Sequence, residues 1–332
     1  MKHRSQPRNP RATSRAASVH QVIATIACLG LVGCLAACGA TTPLWYEGEQ
    51  DHWTLPLAAG DFVEPVVPVM VHGQGPYLFA LDPDSPASVI DEKVARSLNL
   101  YSNQQYFRIL NQKDVTVPRR TYEVLELDTG DLRIRKTRML HAPEGSLRAS
   151  GQVVHGILGG DLLSRTIVID IDRDAGHVRL SRTGTAAVPE TAVGLHGWLH
   201  RGWLYVPVRV GDRQVTMQVR PSARVSTLRR KVLDKLAARP AAQPGNDTTV
   251  EVDETGTPLV LRSGGVIPTV SFESLVARDV HFYIHGDRRE RDRFQYDGIL
   301  GQDILSRFRV IIDRDHKTLY LAPRSPSAHN SR

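Results

Sequence analysis

The sequence predicts an all-β protein with minor short helices, written as two related halves. Three observations carry that prediction. The first is an internal repeat: Gly156-Ile-Leu-Gly-Gly-Asp-Leu-Leu-Ser-Arg165 returns as Gly298-Ile-Leu-Gly-Gln-Asp-Ile-Leu-Ser-Arg307, and Asp172-Arg-Asp174 returns as Asp313-Arg-Asp315. Self-similarity on this scale marks duplicated structure. The second is the supply of short runs rich in Val, Ile, Tyr and Phe, broken by Gly, Pro, Asn and Asp, which read as strands. The third is scale: 332 residues, 41% of them hydrophobic, suffice for about two domains with a buried core.

In chain order, residues 1–37 come first and hold Lys2, Arg4, Arg8, Arg11 and Arg15 with no Asp or Glu. They account for five of the seven net positive charges, so a nucleic-acid partner is not indicated for the rest of the chain. The apolar run Val22–Cys38 is short and rich in small residues, as in a secretory signal. Leu31-Val-Gly-Cys34 and Leu35-Ala-Ala-Cys38 both resemble the lipobox of bacterial lipoproteins. That resemblance implies a lipidated Cys38, with Cys34 as the alternative. No Asp follows either cysteine, which by the same resemblance favours the outer membrane, facing the periplasm. Cys28, Cys34 and Cys38 are the three cysteines, so no disulfide is available within the body.

A linker over 38–60 is expected to lead into the first half, 61–185; a second linker, 186–197, leads into the second half, 198–325, and a tail of 326–332 follows. Trp45, Tyr46 and Trp53 are expected to pack on the body, with contact at a membrane surface as the alternative. Val67-Pro-Val-Met-Val71 answers to Val206-Pro-Val-Arg-Val210, and Phe79–Ile90 answers to Met217–Leu228. Further strands read as Thr121–Leu127, Thr166–Ile171, Val280–Ile284 and Arg309–Ile312. Helices are expected over Asp91–Leu98 and Arg229–Ala238, with short ones near Gly160 and Gln302. Asp161 and Asp303 read as caps of those short helices.

An apolar strand running into a small loop and out into Ser88-Val-Ile90, then a helix, then Ile157-Leu-Gly-Gly-Asp-Leu-Leu163, resembles the retropepsin-like aspartic proteases. The resemblance covers most of 61–325 and implies two β-barrel halves related by a pseudo-two-fold, as in pepsin-type architecture at reduced size. It also implies a cleft between the halves in which an extended peptide or protein segment binds, with Ser85, Ser222, Ile157, Leu158, Gly159, Ile299, Leu300 and Gly301 as binding positions.

The catalytic loops depart from the family. Proteolysis of this kind needs one carboxylate from each half, the two sharing a proton. Asp82 stands at the family's catalytic position in Leu81-Asp-Pro-Asp-Ser85, whereas Arg220 stands there in Val219-Arg-Pro-Ser-Ala223. A guanidinium remains protonated, favours an ionised Asp82, and opposes the shared-proton state. Pro83 and Pro221 replace the family's threonine and bring neither a hydroxyl nor an N–H. Asp84 and Ser222 replace its glycine. Asp84 could in principle partner Asp82, but alternate residues of an extended segment point apart.

The expectation is therefore an impaired protease-like protein that binds a peptide or protein segment. The alternatives are a divergent endopeptidase using Asp82 and a structural envelope component. No cofactor or metal is implied: the 13 histidines show no ligand spacing, and His141, His155, His281 and His285 read as strand-end or surface residues. The segment 285–293 reads as a solvated loop of mixed charge.

Overall fold

The structure is a computed structural model and describes residues 45–46, 51–83, 85, 87–108, 116–163, 168–182, 187–200, 202–236, 248–252, 258–285 and 296–324. The signal segment, all three cysteines, Asp84, the tail and residues 286–293 of the charged loop lie outside them.

Each half is a closed ring of six strands in the same order. In the first, Val66–Val71 pairs with Gln74–Asp82, which pairs in parallel with Gly156–Gly159. The ring continues through Val89–Asp91, Leu132–Ala142 and Thr116–Thr129, and returns to the first strand at Met70 and Val71. In the second, the order is Trp203–Val210, Arg213–Val219, Gly298–Leu300, Thr227–Arg229, Leu275–His285 and Pro258–Phe272, closing at Arg209 and Val210. Even the two parallel pairings per ring coincide. Each ring carries two extra strands outside it, Trp45–Tyr46 and Ser102–Arg108 on the first, Trp198–His200 and Thr248–Val252 on the second.

Alternation explains the strands. Val67, Val69 and Val71 are fully buried and Pro68 and Met70 between them half-buried, as a strand with one face on a barrel core requires. Pro68 and Pro207 sit mid-strand in both copies, where a missing N–H would break a two-sided ladder. The rings close only beyond them, at 70–71 and 209–210, so on that side neither proline is asked to donate.

A third sheet of six strands draws on both halves: Val193–His196, Thr318–Pro323, Phe308–Asp313, Val168–Asp172, His177–Ser181 and His52–Pro56. Its central pair is antiparallel, with Ile169 opposite Ile312 and Ile171 opposite Val310. The repeat offset of Asp172 to Asp313 carries Ile169 onto Val310 and Ile171 onto Ile312, so the pair maps onto itself as a two-fold axis demands. Both segments expected to be linkers contribute: Val193–His196 pairs with Thr318–Leu321, and His52–Pro56 forms the outer strand with Trp53 and Leu55 fully buried. Trp53 thus packs on the body, with the Arg182 guanidinium 5.1 Å from its ring centre.

The helices are short: Glu92–Ser97, Gly160–Leu163, Arg230–Leu233 and Gln302–Leu305. The first starts one residue later than expected because Asp91 is its N-cap, accepting from Lys93 N at 2.8 Å. Arg229 holds the equivalent place without a side-chain cap, and that helix spans only four residues. Among the described residues no helix is long and apolar enough to cross a membrane.

Candidate functional site

Asp82 ends its strand, and Arg220 immediately follows the equivalent one. Leu81 lies opposite Leu158 in the first parallel pairing, and Val219 lies opposite Leu300 in the second, so the next residue in each half is Asp82 or Arg220. The turns that follow are the same. Ser85 N donates to Asp82 O at 3.1 Å, and Ala223 N donates to Arg220 O at 3.1 Å. Gly160 N then donates to Ser85 O at 2.7 Å, and Gln302 N to Ala223 O at 2.8 Å. Asp82 and Arg220 are both half-buried. The Asp82 carboxylate also accepts from Ser85 N at 3.1 Å, which turns one oxygen back toward its own loop.

The loops are held from below by a bracket that sequence reasoning missed. Ser88 Oγ donates to Asp161 Oδ1 at 2.7 Å and accepts from Gly159 N at 2.9 Å. Ser226 Oγ donates to Asp303 Oδ1 at 2.6 Å and accepts from Gly301 N at 2.9 Å. Both serines are fully buried. Burial pushes both carboxyls above the usual aspartate range, while the serine hydroxyl opposes that rise. The helix-cap expectation for Asp161 and Asp303 is corrected accordingly. Each lies one residue inside its helix, satisfies the next N–H at 3.0 Å, and ties the helix to the loop across more than seventy residues.

Gly159 and Gly301 are required by this crossing. A Cβ on Gly159 would stand 2.5 Å from the Ala87 carbonyl carbon, and one on Gly301 would stand 2.6 Å from that of Val225. Of the expected binding positions, Leu158 and Leu300 are completely buried and Ile299 is 5% exposed, and with Gly159 and Gly301 they form the segments that cross the loops. Ile157 is half-buried. Ser85 is 9% exposed, and its hydroxyl is committed to Ala87 O at 2.9 Å. Ser222 Oγ is buried and makes no hydrogen bond among the described residues.

One residue distinguishes the two copies most sharply. Where the first repeat has Gly160, whose Cβ would meet Pro83 O at 2.7 Å, the second has Gln302, 1% exposed. Its Nε2 donates to Pro221 O at 2.6 Å, and its Oε1 accepts from Arg173 Nη2 at 3.2 Å. Arg173 also donates to Phe62 O at 3.3 Å and to Val63 O. Burial and the neighbouring Arg324 lower its pKa to about 10, against Glu64, so it is charged at neutral pH. The loop that carries Arg220 is thus braced by an amide held from the other half. Pro221, which cannot brace through a hydroxyl, serves as the acceptor.

Two of the singled-out histidines have structural partners. His155 Nδ1 accepts from Leu78 N at 3.0 Å, and His281 Nε2 lies 2.6 Å from Ser263 Oγ. Among the described residues no group of three or more His, Cys, Asp or Glu is placed to hold a metal ion.

Each of the two duplicated loops is thus crossed by an Ile-Leu-Gly strand and bracketed by a buried Ser–Asp pair. Residues 67–162 match the family model described as Aspartyl protease. The matched segment includes Asp82, the loop crossing and the Ser88–Asp161 bracket. Among solved structures, an aspartic proteinase from Irpex lacteus is similar at 16% identity, covering 85% of this chain and 100% of that one, with a TM-score of 0.49. No curated protein matches.

Proposed function

We propose that this chain is a catalytically impaired aspartic-protease-like protein that binds an extended peptide or protein segment between its halves and is held at the bacterial envelope by a lipid on Cys38 or Cys34. The observation that supports the impairment is the register equivalence of Arg220 and Asp82. A dyad needs two carboxyls that can exchange one proton, and a guanidinium has none to exchange at working pH. In this reading Arg220 pairs with Asp82 as a fixed ion pair. The surrounding loop framework is kept in both halves, which fits retained recognition without retained chemistry, and strand-lined grooves suit extended segments. The anchor rests on the lipobox pattern alone.

The test is binding of a fluorescent unfolded-protein peptide, followed by anisotropy with the full chain and with Arg220→Gln and Asp82→Asn variants. Saturable binding without cleavage, weakened about tenfold in at least one variant, is expected. Binding absent in the wild type, or identical in all three proteins, contradicts peptide recognition at this site.

A further inference from the structure

A second polar site lies on the first half, and none of its lining residues belongs to either loop. Helix Glu92–Ser97 ends against the ring, and a surface cavity opens there, lined by Arg96 and Asn99 from the helix end, Arg120 from strand Thr116–Thr129, and Ser102. Its apolar wall is Ala95, Leu100 and Tyr122, all at most 9% exposed.

The charge at this cavity is unbalanced. Glu92 is the one carboxylate that Arg96 and Arg120 share: Oε1 lies 2.5 Å from Arg96 Nη2 and 3.4 Å from Arg120 Nη1. The same carboxylate reaches His141 Nε2 at 3.3 Å through Oε2. Its side chain is 17% exposed, whereas Arg96 and Arg120 are 66% and 50% exposed. Among the described residues, two guanidiniums against one acid leave a net positive charge facing the opening. Lys93 and Glu144, 3.6 Å apart, cancel one another beside it.

The helix end does not offset this charge. Carbonyls at a helix C-terminus would repel an anion, but here those of Val94, Ala95 and Arg96 accept from Leu98, Leu100 and Asn99 N–H at 3.0–3.1 Å. Guanidinium forks held by one carboxylate are pre-oriented donors for two-oxygen acceptors, and the apolar wall strengthens such bonds by lowering the local dielectric.

We infer that this cavity is a binding site for a small oxyanion, a phosphate or a carboxylate, held between Arg96 and Arg120 with Asn99 and Ser102 as neutral donors. The test titrates the full chain, at constant ionic strength, with inorganic phosphate and separately with acetate, by calorimetry. Arg120→Gln and Arg96→Gln weaken the bound anion about tenfold, while Glu92→Gln, which releases both arginines from their competing carboxylate, tightens it about threefold. Preference for phosphate assigns a free phosphate group as the ligand, and preference for acetate assigns a polypeptide or metabolite carboxylate. Arg120 is exposed enough that its variant folds, so the comparison survives if Arg96→Gln does not. No binding of either anion by the wild type overturns the inference. So does equal affinity in Arg120→Gln, or weakening in Glu92→Gln, which would make the cluster a scaffold of ion pairs only.

Discussion

Ser88 and Ser226 each join a glycine N–H to a buried carboxylate, and that arrangement sets what single substitutions do. Ser88→Ala removes the acceptor for Gly159 N and the donor to Asp161, leaving buried polar atoms unmatched, so a loss of about 1–3 kcal/mol is expected in urea denaturation. Asp161→Asn should behave oppositely at neutral pH. A carboxyl whose folded pKa is raised gives stability that is full below its unfolded value of about 4, and that is lost as pH rises through the folded value. At pH 7 the buried charge is a cost, and Asn keeps the Oδ1 acceptor, so this variant should be at least as stable as wild type. A large loss would show that the charge itself is needed. At this scale the sequence was only partly legible. The exchange of Gly160 for Gln302 is visible by comparing the repeats, but its meaning depends on Arg173, 129 residues away, and no local spacing announces that contact. The cap reading of Asp161 failed for the same reason: its partner is 73 residues distant.

Among the elements, strand Gly156–Gly159 is entered through His155, whose backbone N–H donates to Leu78 O while its ring accepts from Leu78 N. The acceptor role requires an unprotonated Nδ1, and burial lowers the His155 pKa from its ordinary value, against the opposing pull of Asp91. A depressed folded pKa gives stability that is present above about pH 6.5 and is lost as pH falls toward the folded value. His155→Asn retains an acceptor without titrating. Its melting temperature should therefore fall less than that of wild type between about pH 6.5 and about pH 5. An identical fall in both would assign the acid sensitivity elsewhere. The strands themselves were legible because each ring strand alternates or runs apolar, and the duplication supplied two readings of every element. The expected linkers were not, since Trp53 and Leu55 alternate over only five residues and become a strand only by pairing with His177–Ser181.

For the whole molecule, the two rings are joined through the first copy of the Asp-Arg-Asp repeat. Arg309 reaches Asp172 at 3.3 Å, Arg173 reaches Gln302 at 3.2 Å, and Arg324 reaches Asp174 at 2.7 Å, so all three residues contact the second half. Beside them, Arg309 holds Asp170, 4% exposed, through two hydrogen bonds of 2.7 and 3.0 Å. Removing Asp170 leaves Arg309 only its longer contact with Asp172, so Asp170→Ala should cost about 1–3 kcal/mol. A cost under about 0.5 kcal/mol would reduce the pair to a surface contact. The repeat was plain in the sequence, but its use was not. Asp313, the second-copy counterpart of Asp172, instead holds His316 of its own turn at 2.8 Å.

The central claim concerns the same symmetry, since one half places a carboxyl group at its loop and the other a guanidinium cation. It is tested most directly by incubating the full chain with an unfolded protein substrate from about pH 3 to about pH 7, where an acid dyad would work, beside Asp82→Asn. No cleavage above that of the variant is expected at any pH. Cleavage by the wild type that disappears in Asp82→Asn would contradict it.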